Sequence, residues 1–539
     1  MLGMLLALTA IEVSLRGWII AKSDIIAQDG TYYLDMARVW RVDPDRAVRD
    51  FVVHPGYPAA VVAMHHILAG QGDADDLHAW ERAGQYVALL GGVLAVWGVW
   101  AFGAMMFRDV WIGFFGALLF GLGRNFAAAG ADVLSDSVML CLAMWGLTAA
   151  MRASLLLRAR RKIVLFWAAA TGLLSAAAYW VRPEGGVVLL IALMVWLGIQ
   201  VWRKLSWPLT LAAAVVAILT AALVAAPYGF TNKWQLKEFT ALPSSGPLLA
   251  WLGAKELAST PAALEYLGKF FEAQQPVLAS LTCLYLALWL LSRTQPGRRL
   301  GEMLPTITRT GGIMIVMTFI CVTPPILLRY WSTGALSHRY LFLPAAMLAG
   351  APVAAILGLA RLAATRAKSE RAARRIRWGA PAVAILALAA GLSGHALRPL
   401  HAGKAYAKNA GLWLADRMQP ADALLTDQFY VGYYSRAEKS HVVEDSALQY
   451  NLAKNRPDVT PRQYVREQLD QPGGFRYVAL KRQSGPSLLK DVADLLSERG
   501  YQQINEFPYV ERGKARPKKG AIVVFERSSV SPPKKNSGE

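Results

Sequence analysis

Five charged side chains and a histidine stand where a chain this apolar has little reason to keep them. Asp29 opens the polar run Gln28-Asp29-Gly30-Thr31-Tyr32-Tyr33-Leu34-Asp35-Met36-Ala37-Arg38, directly after the first apolar segment. Asp132 and Asp136 bracket Val133-Leu134-Ser135 at the mouth of a later segment, and a spacing of four would put both on one helix face. Arg182 lies in Tyr179-Trp180-Val181-Arg182-Pro183-Glu184-Gly185 and Arg339 in Ser337-His338-Arg339-Tyr340-Leu341, each at a break between apolar runs. His54 precedes Pro55-Gly56-Tyr57-Pro58. A carboxylate at the water–lipid boundary can take a proton from a hydroxyl or hold a cation, so Asp29 and Asp136 are also candidate metal ligands. A guanidinium matches the geometry of phosphate, and an imidazole facing acidic groups is a candidate proton carrier or metal ligand. Each residue also has an ordinary structural use: an Asp-Gly turn at Asp29, helix caps at Asp132 or Ser135, an Arg–Glu turn at Arg182, a packed loop histidine at His54. Ionisable groups at membrane depth are costly unless paired or hydrated, which favours function for the deeper Asp136.

The elements that must position these groups are membrane helices. The chain has 539 residues, is 55% hydrophobic with mean hydropathy +0.31, and repeats apolar runs long enough to cross a hydrocarbon core of roughly 30 Å. Eleven spans are predicted, at about 2–21, 84–107, 110–128, 133–151, 163–181, 186–202, 207–226, 277–293, 310–330, 340–361 and 378–396. The first lacks a basic n-region and a small-residue cleavage site, so it is expected to be retained; its Glu12 and Arg16, four apart, can pair. Ala59 to Leu68 is too short to span and reads as an interfacial or re-entrant helix.

The net charge of +20 does not imply nucleic acid, because much of the excess lies in short loops on alternate connections. These loops carry Arg152, Arg158, Arg160, Arg161 and Lys162, then Arg203 and Lys204, then Arg293, Arg298 and Arg299. The densest runs from Arg361 to Arg377, opposed by Glu370 alone. With these loops in the cytoplasm the N-terminus is inside, the acidic loop 22–83 and the loop 228–275 are outside, and an odd number of spans leaves the C-terminus outside. Lys233, Lys237, Lys255 and Lys269 of the second outer loop read as a solvated or interfacial face. Cys141, Cys283 and Cys321 all lie in apolar segments and form no disulfide framework or zinc pattern.

From Leu397 the composition turns globular. Strand-like pieces at Ala423 to Thr426, Tyr477 to Leu480 and Ala521 to Phe525 alternate with helical patterns at Ala405 to Met418, Pro461 to Leu469 and Ser487 to Arg499. The expected organisation is a transmembrane domain over 1–396, an extracytoplasmic α/β domain over 397–527 and a disordered tail over 528–539. Acidic groups, a histidine and two arginines then converge on the outer face, where they would bind a lipid with an anionic headgroup and act on what it carries.

In order and spacing, the Asp29 to Arg38 run, His54-Pro55-Gly56-Tyr57-Pro58, Leu134-Ser135-Asp136, Arg182-Pro183-Glu184-Gly185 and Arg339-Tyr340-Leu341 resemble the GT-C membrane glycosyltransferases. The likeness is strongest to the group of protein O-mannosyltransferases and lipid A aminoarabinose transferases. Ala423-Leu424-Leu425-Thr426-Asp427 and Gly432-Tyr433-Tyr434-Ser435 look like the outer domain many of these carry. The resemblance implies a polyprenyl-phosphate-linked sugar donor and a lipid, glycan or protein acceptor. Transfer would be inverting, on the outer side of a plasma membrane such as the bacterial inner membrane. It implies Asp29 as general base or metal-site residue, Asp132 and Asp136 as a second acidic site, Arg182 and Arg339 on the lipid phosphate, and a divalent cation, Mg or Mn, as cofactor. Gly30 stands where a second acidic residue is usual and Gly56 where a second Pro is common, which weakens a two-carboxylate metal site in the first loop. A Trp-Trp-Asp-Tyr-Gly motif is absent, against an oligosaccharyltransferase catalytic subunit. The competing classes are a polytopic lipid or solute transporter or flippase, which should show inverted repeats, and an inactive assembly protein of the same fold.

Overall fold

The structure is a computed structural model and describes all residues except 52, 70–75, 158–160, 204–206, 232–261, 295–297, 334–335, 438, 444–455, 457, 472–473, 484–486, 512–513, 517–519 and 529–539. Lys233, Lys237 and Lys255 of the expected outer loop, Arg158, Arg160 and Lys204 of the basic loops, and nearly all of the expected tail lie outside the described residues. The chain divides into two compact units: Met1–Lys22 with Tyr32–Arg398, and Ser23–Thr31 with Pro399–Glu539.

The first unit is helical. It begins with α1 (Leu2–Lys22), the bulk of α2 (Gln28–Val42), α3 (Pro44–Asp50) and α4 (Gly56–Ala69), followed by α5 (Leu77–Phe107), α6 (Val110–Gly121) and α7 (Arg124–Ala129). Then come α8 (Asp136–Leu156), α9 (Arg161–Val181), a 3-10 turn at Pro183–Gly186, α10 (Val187–Arg203) and α11 (Trp207–Thr231). The remainder is α12 (Ala262–Gln274), α13 (Pro276–Leu291), α14 (Arg298–Met303), α15 (Arg309–Thr333), a 3-10 turn at His338–Leu341, α16 (Phe342–Met347), α17 (Gly350–Ala364) and α18 (Glu370–Ala396). Among the described residues eight helices are long and apolar enough to cross a membrane: α1, α5, α8, α9, α10, α11, α15 and α18. Two bent pairs raise the number to ten, α12 with α13 at 111° and the Arg339 turn and α16 with α17 at 48°.

The eleventh expected span, 110–128, is not one long helix. Its helix α6 has 12 residues, about 18 Å of rise, short of the roughly 30 Å hydrocarbon core. Its last residue, Gly121, packs close against α1: a Cβ there would run into the Glu12 carboxylate. That carboxylate pairs with Arg16 one turn along α1, as the spacing predicts, and both side chains are fully buried. The Arg16 guanidinium lies 5.1 Å from the Phe126 ring centroid. Truncating one member strands a buried charge, so Glu12→Ala should destabilise by about 3–5 kcal/mol. The double change Glu12→Leu with Arg16→Met should recover most of that. Melting in detergent, followed by near-ultraviolet circular dichroism, distinguishes the two outcomes.

The second unit is α/β. Its sheet has order β2-β1-β3-β7-β4, built from β1 (Ala423–Thr426), β2 (Lys439–Val442), β3 (Tyr477–Arg482), β4 (Tyr501–Pro508) and β7 (Ala521–Arg527). β5 (Val510–Glu511) and β6 (Lys514–Ala515) form a separate small ribbon. β1 pairs parallel to both β2 and β3, and β7 runs antiparallel to β3 and β4. Helices α19 (Ala405–Ala415), α20 (Phe429–Tyr434), α21 (Pro461–Leu469) and α22 (Leu488–Glu498) complete it. Leu488, Leu489, Val492, Leu495 and Leu496 of α22 are buried with Leu425, Val478, Leu480 and Val523 of the sheet, the 3.6-residue period meeting the period of two. Strands β2 and β4 are additions to the sequence expectation. β4, Tyr-Gln-Gln-Ile-Asn-Glu-Phe-Pro, is an edge strand with exposed or half-exposed residues after Tyr501 and so shows no alternation.

Candidate active site

The membrane unit gathers its site where α9 breaks. Pro183 cannot continue the helix and forces the residue before it out of the helical region, so Arg182 takes an extended backbone with φ −156° and ψ 145°. Gly185 lets the turn fold back, since a Cβ there would lie 2.2 Å from the Ala178 carbonyl carbon. The His54-Pro55-Gly56 loop seats against the same helix end. His54 Nδ1–H donates to the Tyr179 carbonyl at 2.7 Å, and a Cβ on Gly56 would come within 2.8 Å of the Trp180 backbone. The loop motif therefore fixes the last turn before Arg182.

Arg182 directs Nε and Nη2 at the two oxygens of Glu184, at 3.2 and 3.3 Å, and Nη1 at Asp136 Oδ1, at 3.2 Å. Arg339 Nη1 reaches the other oxygen, Asp136 Oδ2, at 3.5 Å, and its Nε meets Ser337 Oγ at 3.4 Å. One buried carboxylate thus holds two guanidinium groups that come from breaks between different helices. Burial alone would lower the Arg182 pKa, but Glu184 and then Asp136 outweigh it and hold the group well above its ordinary value. Arg182 stays cationic. Its guanidinium also lies 5.6 Å from the Tyr340 ring centroid. The two arginines, with Glu184 and Tyr340, close one end of a small cleft of about 40 Å³. Its other walls are apolar: Met139, Val187, Val322, Pro325, Ile326 and Leu343.

Asp132 is also buried in this unit. It does not share a helix face with Asp136, because α8 begins at Asp136 and Asp132 sits in the preceding turn, accepting from Val133 N–H at 2.8 Å. Ser135 occupies the N-cap position without a side-chain cap bond. Its hydroxyl instead bonds the Tyr33 hydroxyl at 2.8 Å, tying α2 to the mouth of α8. Tyr33 packs edge-on to Tyr57, whose hydroxyl donates to Gly84 O at 2.9 Å. Asp29, in the first turn of α2, belongs with Ser23–Thr31 to the C-terminal unit. Of the six expected site residues, Asp136, Arg182 and Arg339 are joined directly in the membrane unit, with His54 seated at the helix end before Arg182 and Asp132 in the turn before α8.

His54 is placed as a packing residue. It is buried between Tyr179 and Tyr228, at 5.2 and 5.1 Å between ring centroids. Desolvation lowers its pKa to about 4, against the opposing pull of the Tyr179 carbonyl and Glu184. A ring that stays neutral at physiological pH, with Nδ1 committed to a carbonyl, is poorly suited to carry protons. Because the folded pKa lies below the ordinary value of 6.5, this group's contribution to stability is complete above pH 6.5 and is lost as pH falls toward 4. The loss amounts to roughly 3 kcal/mol. Melting temperatures of the wild type and His54→Gln between pH 7.5 and 4.5 should show a shallower acid slope in the variant.

Both Asp136 oxygens face arginines, and among the described residues no group of three or more His, Cys, Asp or Glu side chains could hold an ion. Tyr33, Tyr57 and Tyr340 were not singled out from the sequence. Each lies inside a motif that pointed to the site: Tyr33 in the Asp29 to Arg38 run, Tyr57 in the His54 loop and Tyr340 beside Arg339. Glu272, whose Oε1 lies 3.0 Å from His338 Nδ1, beside Arg339, carried no such signal.

A helical membrane unit of this kind with a small C-terminal sheet unit is the GT-C architecture of membrane glycosyltransferases. The chain is similar over 97% of its length to 98% of the apo crystal structure of ArnT from Cupriavidus metallidurans, with TM-score 0.56 and 14% identity. The same ArnT bound to undecaprenyl phosphate matches with TM-score 0.54, 14% identity and the same coverage. The archaeal oligosaccharyltransferase AglB from Archaeoglobus fulgidus, in complex with an inhibitory peptide and a dolichol-phosphate, matches with TM-score 0.53 and 12% identity, over 89% of this chain and 69% of that one. No protein-family model and no curated protein sequence matches. The likeness is one of fold.

Proposed function

We propose that the chain is an integral membrane glycosyltransferase that moves a sugar from a polyprenyl-phosphate carrier to an acceptor at the extracytoplasmic surface. The observation that carries this reading is the cleft whose one end is two arginines on a shared carboxylate and whose other walls are apolar. A phosphate on a long isoprenoid tail has that same division of chemistry. Three of the five N–H donors of Arg182 are taken by Glu184 and Asp136, and the remainder can turn toward a phosphoryl oxygen. The bound undecaprenyl phosphate of ArnT and dolichol-phosphate of AglB support it at the level of fold.

In the reaction, Asp29 takes the proton of the acceptor hydroxyl as its oxygen attacks the anomeric carbon. The carrier phosphate leaves with the electron pair of the broken C–O bond, and the two guanidinium groups neutralise the charge it gains. A single displacement inverts the anomeric configuration. The N-terminus lies in the cytoplasm, and the C-terminal unit faces the other side. An opposite placement of the termini needs an odd number of crossings, so the α6–α7 segment, broken at Gly123, crosses as the eleventh. We take the plasma membrane, such as a bacterial inner membrane, as the site of action.

The test is transfer from undecaprenyl-phosphate-linked sugars in detergent, with product configuration read by nuclear magnetic resonance. A transferase works without a sealed membrane, whereas a lipid or solute transporter does nothing there. Activity confined to sealed vesicles, with no new glycosidic bond, would overturn the reading.

A further inference from the structure

The C-terminal unit has a pocket of its own. In the sheet order β2-β1-β3-β7-β4 the chain leaves β1 for β2 on one side and returns to β3 on the other. Such a reversal opens a crevice beyond the carboxyl ends of the two parallel strands, the place where α/β sheets bind ligands. The pocket occupies it. Asp427 follows the last residue of β1, and Lys481 sits near the end of β3. Asp427 is buried, and its two oxygens accept the Lys481 backbone N–H at 2.9 and 3.1 Å. Desolvation raises its pKa to about 7, against the lowering pull of that N–H and the Lys481 charge.

Around it stand rings and donors. The Tyr406 ring meets Tyr509 edge-on at 5.9 Å between centroids. Lys404 Nζ lies 5.2 Å from the Tyr430 ring centroid and 3.5 Å from its hydroxyl, which fixes the ammonium at the wall. Gln28 and Gln428 add two amides, and the cavity is about 300 Å³, at the lower end of the ~300–1,000 Å³ span of small-molecule sites. Tyrosine faces suit the C–H face of a pyranose, and amides and a carboxyl suit paired hydroxyls. Two lysines against one carboxyl leave the lining net positive. We propose that this pocket binds a sugar bearing an anionic group, phosphate or carboxylate. Gln28 is the residue before Asp29, so the pocket includes the segment that carries the proposed base. The pocket's role as acceptor site rests on the transferase reading; the binding itself does not.

Isothermal titration of the full-length protein in detergent tests this with glucosamine 1-phosphate, glucuronate, glucose, inorganic phosphate and adenosine monophosphate. Saturable binding is expected for the two anionic sugars. Lys404→Ala and Lys481→Ala should each weaken it about tenfold or more, with melting temperatures unchanged, while Arg182→Ala leaves it intact. Binding that responds to Arg182→Ala and not to the lysine changes would overturn the assignment. So would equal binding of inorganic phosphate or glucose, preference for the nucleotide, or no binding at all. Sugar binding that holds in a protein with no transfer activity would remove the acceptor role and keep the pocket.

Discussion

An Asp29→Asn protein is expected to insert, fold and bind lipid carrier as the wild type does, and to lose transfer by about 10²–10⁴-fold, the usual contribution of a positioned general base. The amide keeps the shape of the side chain and its place in the first turn of α2 but cannot take a proton. The loss should fall on kcat rather than KM, because the proton moves only as the new bond forms. Single-turnover transfer with preloaded donor separates that step from binding. An Asp29→Glu protein should keep part of the activity, the base being present but displaced by one methylene. Near-normal turnover in the Asn variant would remove Asp29 from the chemistry and leave Asp132 as the next carboxylate to test.

Arg182→Ala should be nearly as damaging for a different reason. It removes the cation from the head of the cleft and leaves Asp136, a buried carboxylate, with Arg339 alone. Each charge-assisted bond to a phosphate contributes about 1.5–3 kcal/mol, so donor affinity should fall roughly 10–150-fold. Arg182→Lys should recover little of this. A lysine ammonium can replace the charge but not the fork that spans both Glu184 oxygens and Asp136 at once. Arg339→Ala should be milder, since it is more exposed, 27% against 15% for Arg182, and its bond to Asp136 is longer. Binding of fluorescent undecaprenyl phosphate to nanodisc-embedded protein reads all three. Equal affinity across the series would place the carrier phosphate elsewhere.

Much of this was legible because it is carried by local chemistry. Apolar runs near the thickness of a bilayer, the Pro183 break and the short apolar runs of β1, β3 and β7 are each properties of a short stretch of chain, independent of what packs against it. The five charged candidates could be named for the same reason: an ionisable side chain beside an apolar run needs a partner wherever it ends up. Which partner is a long-range matter. Arg182 lies 46 residues from Asp136 and Arg339 lies 203 from it, and nothing in either segment states that one carboxylate will hold both.

The other departures have the same origin. The 110–128 run looked like one continuous helix and is instead two, α6 and α7, parted at Leu122-Gly123, with Gly121 close against the Glu12 carboxylate of α1. His54, readable from its stretch as a packed loop residue, a metal ligand or a proton carrier, is buried between two tyrosines that lie far from it in the chain. The sheet order that opens the Asp427 pocket depends on which side of β1 each later strand takes, and no window of sequence contains that choice. The sequence by itself determined that charged groups must be satisfied along an apolar chain. The tertiary structure decided with whom, because pairing energies depend on distance and burial between segments that only folding brings together.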